Sequence, residues 1–594
     1  MRLKISKSKS SEILYMLEST YINSKHSTRI VERLGTIEEV KIKAKNENPY
    51  DWAKRYIDQQ TLLEKEGNRP VYDSYNPKKK RNIQHKIKLN GGYLCLQDIY
   101  YKLGLNNICD EITNKYQFKY DLNNILSNLI YSRVIYPSSK LKTLELSKNF
   151  IEQPNFELHD IYRALEVISK ETDFIQSELY KNSLKYSKRN DKVLFYDCTN
   201  YYFEIEQEDD YKKYGKSKEN RPNPIVGMGL FLDGDGIPLA FSTFPGNQNE
   251  QPTLKPLEEK IINDFGNSKF VVCTDAGLSS KANRKFNSTN NRKFVTTQSI
   301  KMLKDFLKDE ALDLTKGWKL PNDNKVYDIS SFRGYERTDD ENENLRREKK
   351  YEDSLKTFKN VTFYKDRWIK EDGIEQRLIV TYSVKYQEYQ KKIRETQTNR
   401  ALKMIDKNPK KIGNIRENDP KRFITTTTTT PSGEVAEKNH YSINTDKINE
   451  EAKYDGLYAV CTNLQDSPEE IIKINKQRWE IEESFRIMKS EFKARPVYLS
   501  NEDRINAHFT TCFLALVIYR YLERKLKKEY TVTKIIETLR NMEYKEIPNE
   551  GYVPLFENTE ITEDIYKSFF KIEDTEILNI KNFNKILKEV KKSK

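Results

Sequence analysis

VLFYD (Val193–Asp197), IVGMGLFL (Ile225–Leu232), IPLAFSTF (Ile237–Phe244) and FVVCTD (Phe270–Asp275) are short apolar runs of strand length. The middle two are joined by Asp233-Gly234-Asp235-Gly236, a hairpin signal. A helical pattern over 254–265 separates the hairpin from the fourth run, and FVTT (Phe294–Thr297) reads as a fifth strand. Strand, hairpin, helix, strand, short helix, strand is the order of a mixed α/β sheet. Asp197 and Asp275 each end a run, where side chains at a sheet's edge become accessible, and neighbouring strands would bring them close. Asp also ends strands for purely local reasons, so the pair gains meaning only from a third acid.

Outward from this sheet the chain divides by pattern. Residues 1–90 read as a basic β-hairpin and a helical connector that stops at Asn68-Arg69-Pro70, since the residue before proline is pushed out of helical geometry. Residues 91–190 place apolar residues three and four apart and read as an all-helical domain. The first part of the sheet occupies 191–299. The looser, charged stretch 300–456 is too long for a plain loop and reads as an inserted subdomain, with Thr425–Thr430 as a flexible tract. Residues 457–530 return to the sheet with strand Leu457–Thr462, a long helix opened by Ser467-Pro468-Glu469-Glu470, and a buried helix over the apolar Phe509–Leu522. A helical tail over 531–594 completes the chain.

The 594 residues exclude a single core, because cores rarely outgrow about 250–300 residues. Lys+Arg (104) less Asp+Glu (90) leaves +14. The first ninety residues hold 20 basic and 11 acidic side chains, a local +9 that includes Lys78-Lys79-Lys80-Arg81. That excess favours a polyanionic partner such as nucleic acid, although charge runs are commonly just solvated faces. The longest apolar run, Phe513–Tyr519, has seven residues against the roughly 20 that a bilayer-spanning helix needs, so no membrane partner is expected. No apolar segment follows the basic N-terminus, which points to a cytoplasmic protein, and abundant Lys, Asn, Ile and Tyr suit an AT-rich, bacterial, nucleoid-associated setting. Six scattered cysteines without C-x-x-C read as reduced thiols. Five histidines without ligand spacing leave carboxylates to hold any metal.

The third acid lies in the helix after Ser467. At about 100° per residue, Glu482, Lys489 and Asn475 fall about 40°, 20° and 60° from Arg478, one polar stripe beside the core-facing one. Glu480 and Glu483 project elsewhere and read as solvent-facing. The plain alternative is an Arg478/Glu482 surface pair worth a few tenths of a kcal/mol.

NKQRWEIEESFRIMK (Asn475–Lys489) resembles the Y-(2)-R-(3)-E-(6)-K signature of DDE insertion-sequence transposases of the cut-and-paste group. Arg478, Glu482 and Lys489 match its R, E and K, and Trp479 the Trp that often follows the Arg, whereas Asn475 stands in place of the signature Tyr. The likeness extends through FYDCTNYYFE (Phe195–Glu204), PLAFSTFPGN (Pro238–Asn247), TDAG (Thr274–Gly277) and RPVY (Arg495–Tyr498). It implies a ribonuclease-H-like mixed-sheet catalytic core with a β-rich insertion, preceded by a mostly helical N-terminal DNA-binding region. It implies Asp197, Asp275 and Glu482 as catalytic and metal-holding residues, with two Mg²⁺ ions or Mn²⁺ in their place. Arg478, Lys489, Trp479 and Asn475 would contact DNA, Arg478 and Lys489 at backbone phosphates and Trp479 against a displaced base. The expected partner is double-stranded DNA, both inverted-repeat ends and target, bound by a homodimer. A DNA-binding protein without this chemistry and a structure-selective nuclease on the same core are the competing readings.

Overall fold

A computed structural model describes residues 1–8, 11–22, 25–65, 69–71, 80, 88–321, 323, 325–334, 337–407, 419–429 and 435–593. Two compact units result, Met1–His85 with Glu546–Tyr552, and Lys86–Lys545 with Val553–Lys594.

In the first unit β1 (Arg2–Lys7), β2 (Glu12–Ile22) and β3 (Lys25–Thr36) form an antiparallel meander, one strand more than the expected hairpin. Helices α1 (Ile37–Ala44) and α2 (Pro49–Lys65) follow. Alternation along β2 turns Leu14 and Met16 to one face, where they pack with Leu34, Val40, Ala53 and Ile57. Thr36 and Glu39 close a reciprocal cap at the start of α1. Asn68 of the expected stop, and all of the Lys78–Arg81 cluster except Lys80, lie outside the described residues.

In the second unit β4 (Leu89–Asn90) leads into α3 (Tyr93–Lys102), α4 (Leu105–Tyr116), α5 (Leu122–Ile135), α6 (Lys140–Ser147), α7 (Leu158–Lys170) and α8 (Thr172–Tyr186). The core strands are β5 (Val193–Tyr202), β6 (Ile225–Asp233), β7 (Pro238–Pro245), β8 (Val271–Thr274) and β9 (Lys293–Gln298), with α9 (Leu254–Asp264) before β8 and α10 (Lys281–Phe286) after it. Then come α11 (Asp305–Leu312), α12 (Glu341–Phe358), β10 (Thr362–Glu371), β11 (Ile374–Ser383), α13 (Val384–Lys407), β12 (Ile424–Thr429), β13 (Val435–Ile443), α14 (Thr445–Ala452) and β14 (Leu457–Thr462).

Eight strands form one mixed sheet in the order β10-β11-β14-β9-β8-β5-β6-β7. Strands β5, β8 and β9 run parallel, while β5, β6 and β7 form an antiparallel meander. The segment β7-β6-β5-β8-β9, with its first three strands in chain order antiparallel and the later two parallel to the first, is the ribonuclease-H-like arrangement. The tight turn between β6 and β7 is anchored by buried Asp233, which pairs with buried Arg189 at 2.6 Å and accepts from the Asp235 and Ile237 amides.

Among the described residues the insertion carries helices α11 to α14 beside strands β10 to β13. Strands β10 and β11 extend the main sheet through β14 instead of standing apart, and their apolar face packs around Trp318, Phe363 and Tyr382. Over Thr425–Thr429 the threonine tract is no loop: Ile424–Thr429 is β12, paired with β13, as suits a run of β-branched side chains, and Thr430 lies outside the described residues.

Helix α17 (Glu502–Lys525) is buried from Ala507 to Glu523 and packs against α3, α5, α7 and β7. The helices of 91–190 and the sheet therefore share one core. Beyond it α18 (Val532–Asn541), α19 (Glu560–Ile565) and α20 (Ile580–Glu589) alternate with β15 (Glu543–Ile547), β16 (Gly551–Pro554) and β17 (Leu578–Asn579). The expected helical tail thus contains strands, and Glu543 and Tyr544 pair with Asn90 and Leu89. No helix among the described residues is long and apolar enough to cross a membrane.

Candidate active site

Strands β5 and β8 pair in parallel as Val193↔Val271, Leu194↔Val272 and Phe195↔Cys273. Continued for two residues, that register sets Asp197 level with Asp275. Asp275 lies just past the end of β8, as the sequence suggests, but Asp197 does not end its strand. Strand β5 runs on to Tyr202 because β6 is long enough to pair with it throughout, Asp197 facing Leu230. The β8 side is open beyond Thr274, which leaves Asp197 accessible from there. Leu194, Tyr196 and Cys198 pack into the core with α9, and the period-2 alternation of a strand turns Asp197 to the opposite face.

Burial pushes the Asp197 carboxyl up to about 6; Lys218 pulls it down and Asp275 adds to the rise. Its Oδ1 accepts from the Cys198 amide at 2.8 Å, and Oδ1 of Asp275 accepts from the Leu278 amide at 3.0 Å. Both Oδ2 atoms are without a hydrogen bond among the described residues.

The helix after Ser467 is not one cylinder. It comprises α15 (Pro468–Lys476), α16 (Trp479–Arg486) and a π turn over Ile487–Glu491. Between α15 and α16 the amides of Gln477, Arg478, Glu480 and Ile481 bond three residues back, to Ile474, Asn475, Gln477 and Arg478. This tightens the winding to about three residues per turn, and the π turn then loosens it, so the single stripe drawn at uniform pitch is split.

Arg478 keeps Glu482 at 3.7 Å and also feels Asp197, Asp275, Cys273 and Tyr458. Glu482 is 63% exposed and lies with Asn475, Arg478 and Trp479 in the wall of a cavity of about 550 Å³ closed by Tyr386, Tyr389 and Tyr458. Neither aspartate lines that cavity. Among the described residues no three His, Cys, Asp or Glu side chains gather as a metal-holding cluster. The structure therefore brings Asp197, Asp275 and Arg478 together, while Glu482 lines a cavity that neither aspartate reaches.

Lys489 lies on the Asp197 side, with Nζ 3.5 Å from Glu219 and over the Tyr201 ring. Burial and the neighbouring Lys218 push its ammonium down to about 8, against the pull of Asp197. Trp479 is 56% exposed. Asn475 is buried; its Nδ2 donates to the Tyr458 hydroxyl at 3.0 Å. Glu480, expected in solvent, is instead covered by α17 and pairs with Arg520 at 3.5 Å and Lys528 at 3.0 Å. Glu483 pairs with Arg486 at 2.5 Å.

Sequence reasoning missed Lys218, which bonds the Cys198 carbonyl and pairs with Glu250 at 3.1 Å, and Glu219, which pairs with Arg495. One signal was available: the polar stretch between β5 and β6 is too long for a hairpin turn and begins six residues after Asp197. Tyr458 carries no signal beyond its place on β14.

The two aspartates fit a hard divalent cation. They are oxygen donors, adjacent, partly buried and mutually repelling, and each has an oxygen without a hydrogen bond.

Comparison with curated proteins gave no match. Among solved structures the chain is similar to the piggyBac transposase in a synaptic complex with hairpin DNA, at 8% identity over 76% of this chain and 80% of that one, TM-score 0.34. It is also similar to the Mos1 transposase in a paired-end complex with the left transposon end, at 11% identity over 40% of this chain and 66% of that one, TM-score 0.14. The family described as the transposase DDE domain matches residues 189–518, which span the core strands, the insertion, α15, α16 and the first part of α17. That match covers more than half of the 594 residues, and the chain belongs to the transposase DDE domain family.

Proposed function

We propose that this transposase binds double-stranded DNA at the inverted-repeat ends of its own insertion sequence, as a homodimer, and cuts and joins it at Asp197 and Asp275 with Glu482 as the third acid. The observation that supports this most strongly is the register that sets Asp197 on β5 level with Asp275 just past the end of the parallel β8, where Asp275 raises the Asp197 carboxyl. Asp197, Asp275 and Glu482 would hold Mg²⁺ or Mn²⁺, and two such ions supply activation of the attacking oxygen and stabilisation of the leaving oxygen.

Arg478 would exchange partners: its guanidinium would leave the exposed Glu482 for a backbone phosphate, and Glu482 would turn to the aspartates. Lys489 and Lys218 flank Asp197 on the other side and can take the neighbouring phosphates. Water attacking a phosphorus at the element's end forms a new P–O bond as the bond to the 3′ oxygen breaks, leaving a free 3′-OH. That hydroxyl then attacks a second phosphodiester in the same way, so one site serves cleavage and strand transfer.

Thermal melting of the full chain with and without Mn²⁺ tests the acid set apart from activity. Addition of the ion should raise the melting temperature of the wild type and not that of Asp197→Asn. An equal rise in both removes Asp197 from the set.

A further inference from the structure

A second cavity, of about 430 Å³, opens between α5, α6, α7, the segment 493–499 and α17. Its charged and titratable groups are Arg133 from α5, Lys140 from α6, Lys493 and Arg495 from the segment, and His508 from α17, with tyrosines from α7 and the segment. Among the described residues no carboxylate lines it.

The floor is built and buried. Lys140 is 5% exposed, and its Nζ has no hydrogen-bond partner or ion pair among the described residues. Arg133, equally buried, spends Nη1 on the Phe492 carbonyl at 3.1 Å and Nη2 on the Ser138 carbonyl at 3.3 Å, while its Nε is unpartnered. His508 donates from Nε2 to the Ala494 carbonyl at 3.1 Å, and burial together with Arg133 and Lys140 lowers its proton affinity, so it stays neutral. The rim is open: Leu141 is 53% and Tyr498 69% exposed.

A buried cation without a counter-ion is costly, and an anion seated against it recovers that cost through charge-assisted hydrogen bonds. Burial and Arg133 push the Lys140 ammonium down to about 7. The cavity adjoins the reaction centre through Arg495, which pairs with Glu219, which in turn pairs with Lys489 beside Asp197.

We propose that this cavity holds a backbone phosphate of the DNA, gripped by Lys140 Nζ and Arg133 Nε, with Tyr498 on the rim against the adjoining sugar or base. The proposal rests on the transposase reading above. A strand lying across the cavity continues toward Lys489 and the paired aspartates, so the contact sets where the strand lies along the site. Lys140 is a positioning residue, not a catalytic one.

The test uses the full chain and duplexes from the ends of its own element, each carrying one uncharged methylphosphonate. One substituted position should weaken wild-type binding about tenfold and leave Lys140→Met unaffected. Lys140→Met should bind the unmodified duplex more weakly, with a slope of log affinity against log salt shallower by about 1. Melting curves show whether the variant folds; Lys140→Gln, which drops the charge and keeps a polar side chain, is the second variant. Equal affinity and equal slope in wild type and folded variants overturn the proposal. Stabilisation by inorganic phosphate that depends on Lys140, without any effect on DNA binding, overturns it in favour of a free-anion site. A wild type that binds ends through this phosphate but never cuts them would refute the proposed reaction and leave the cavity's role intact. No binding of DNA at all would refute both.

Discussion

At the scale of single residues, Asp197 is held in a state that costs stability. The folded carboxyl keeps its proton to about pH 6, whereas the unfolded reference value is 3.8. In the metal-free protein the folded state therefore binds the extra proton between these values: stability rises as pH falls from 6 toward 4, and the full burial cost applies above 6. Asp197→Asn should raise metal-free stability at about pH 7 by of order 3 kcal/mol and change it little at about pH 4. Chemical unfolding at the two pH values measures this, and equal effects would contradict it. For Arg478 and Lys489 the expectation is the reverse. Arg478→Ala loses a 3.7 Å pair whose Glu482 end is exposed, worth about 0.5 kcal/mol of stability. Losing a phosphate clamp at the transition state should instead slow cleavage on the order of a hundredfold. Unchanged single-turnover rates in both alanine variants would return them to a structural role. Asn475, buried against Tyr458, is fitted to its site, so Asn475→Tyr should bring no gain in cleavage; a gain would identify Asn475 as a defect.

At the scale of elements, the strands around Asp197 and Asp275 were legible because short apolar runs of strand length and the Asp-Gly-Asp-Gly turn are local signals. The capped start of α15 was legible for the same reason, and Ser467 does accept from the Glu470 amide. The break at Gln477–Arg478 and the π turn at Lys489 were not, since no proline or glycine marks either one. Both depend on what packs against the helix. The cover of Glu480 by α17 shows the same limit, because Arg520 and Lys528 lie 40 and 48 residues away. Glu480→Ala, which removes one of the two carboxylates paired with buried Arg520 and leaves Glu523 at 2.8 Å, should destabilise the protein by about 2 kcal/mol. Glu483→Ala, which frees the half-exposed Arg486, should cost about 1 kcal/mol or less. Denaturant midpoints distinguish the two, and equal small effects would mean that α17 does not cover this face.

At the scale of the whole molecule, the order of elements identified the sheet, but the sequence offered no sign that helices 91–190 share their core with α17. That contact joins residues more than 300 positions apart, as Thr172 and Thr510 do at 2.9 Å. A fragment ending at residue 190 would expose the faces of α3, α5 and α7 that α17 covers, so it should show helix by circular dichroism without a cooperative melt; a sharp transition would show an independent domain. The account as a whole turns on the acid set. Its most direct test is Mg²⁺-dependent, single-turnover cleavage of end DNA by the wild type and by Asp197→Asn, Asp275→Asn and Glu482→Gln, with end binding measured in parallel. All three substitutions should abolish cleavage and keep binding. Cleavage that survives in Asp197→Asn or Asp275→Asn would contradict the paired-aspartate centre, and cleavage that survives in Glu482→Gln alone would leave the pair in place and remove its third acid.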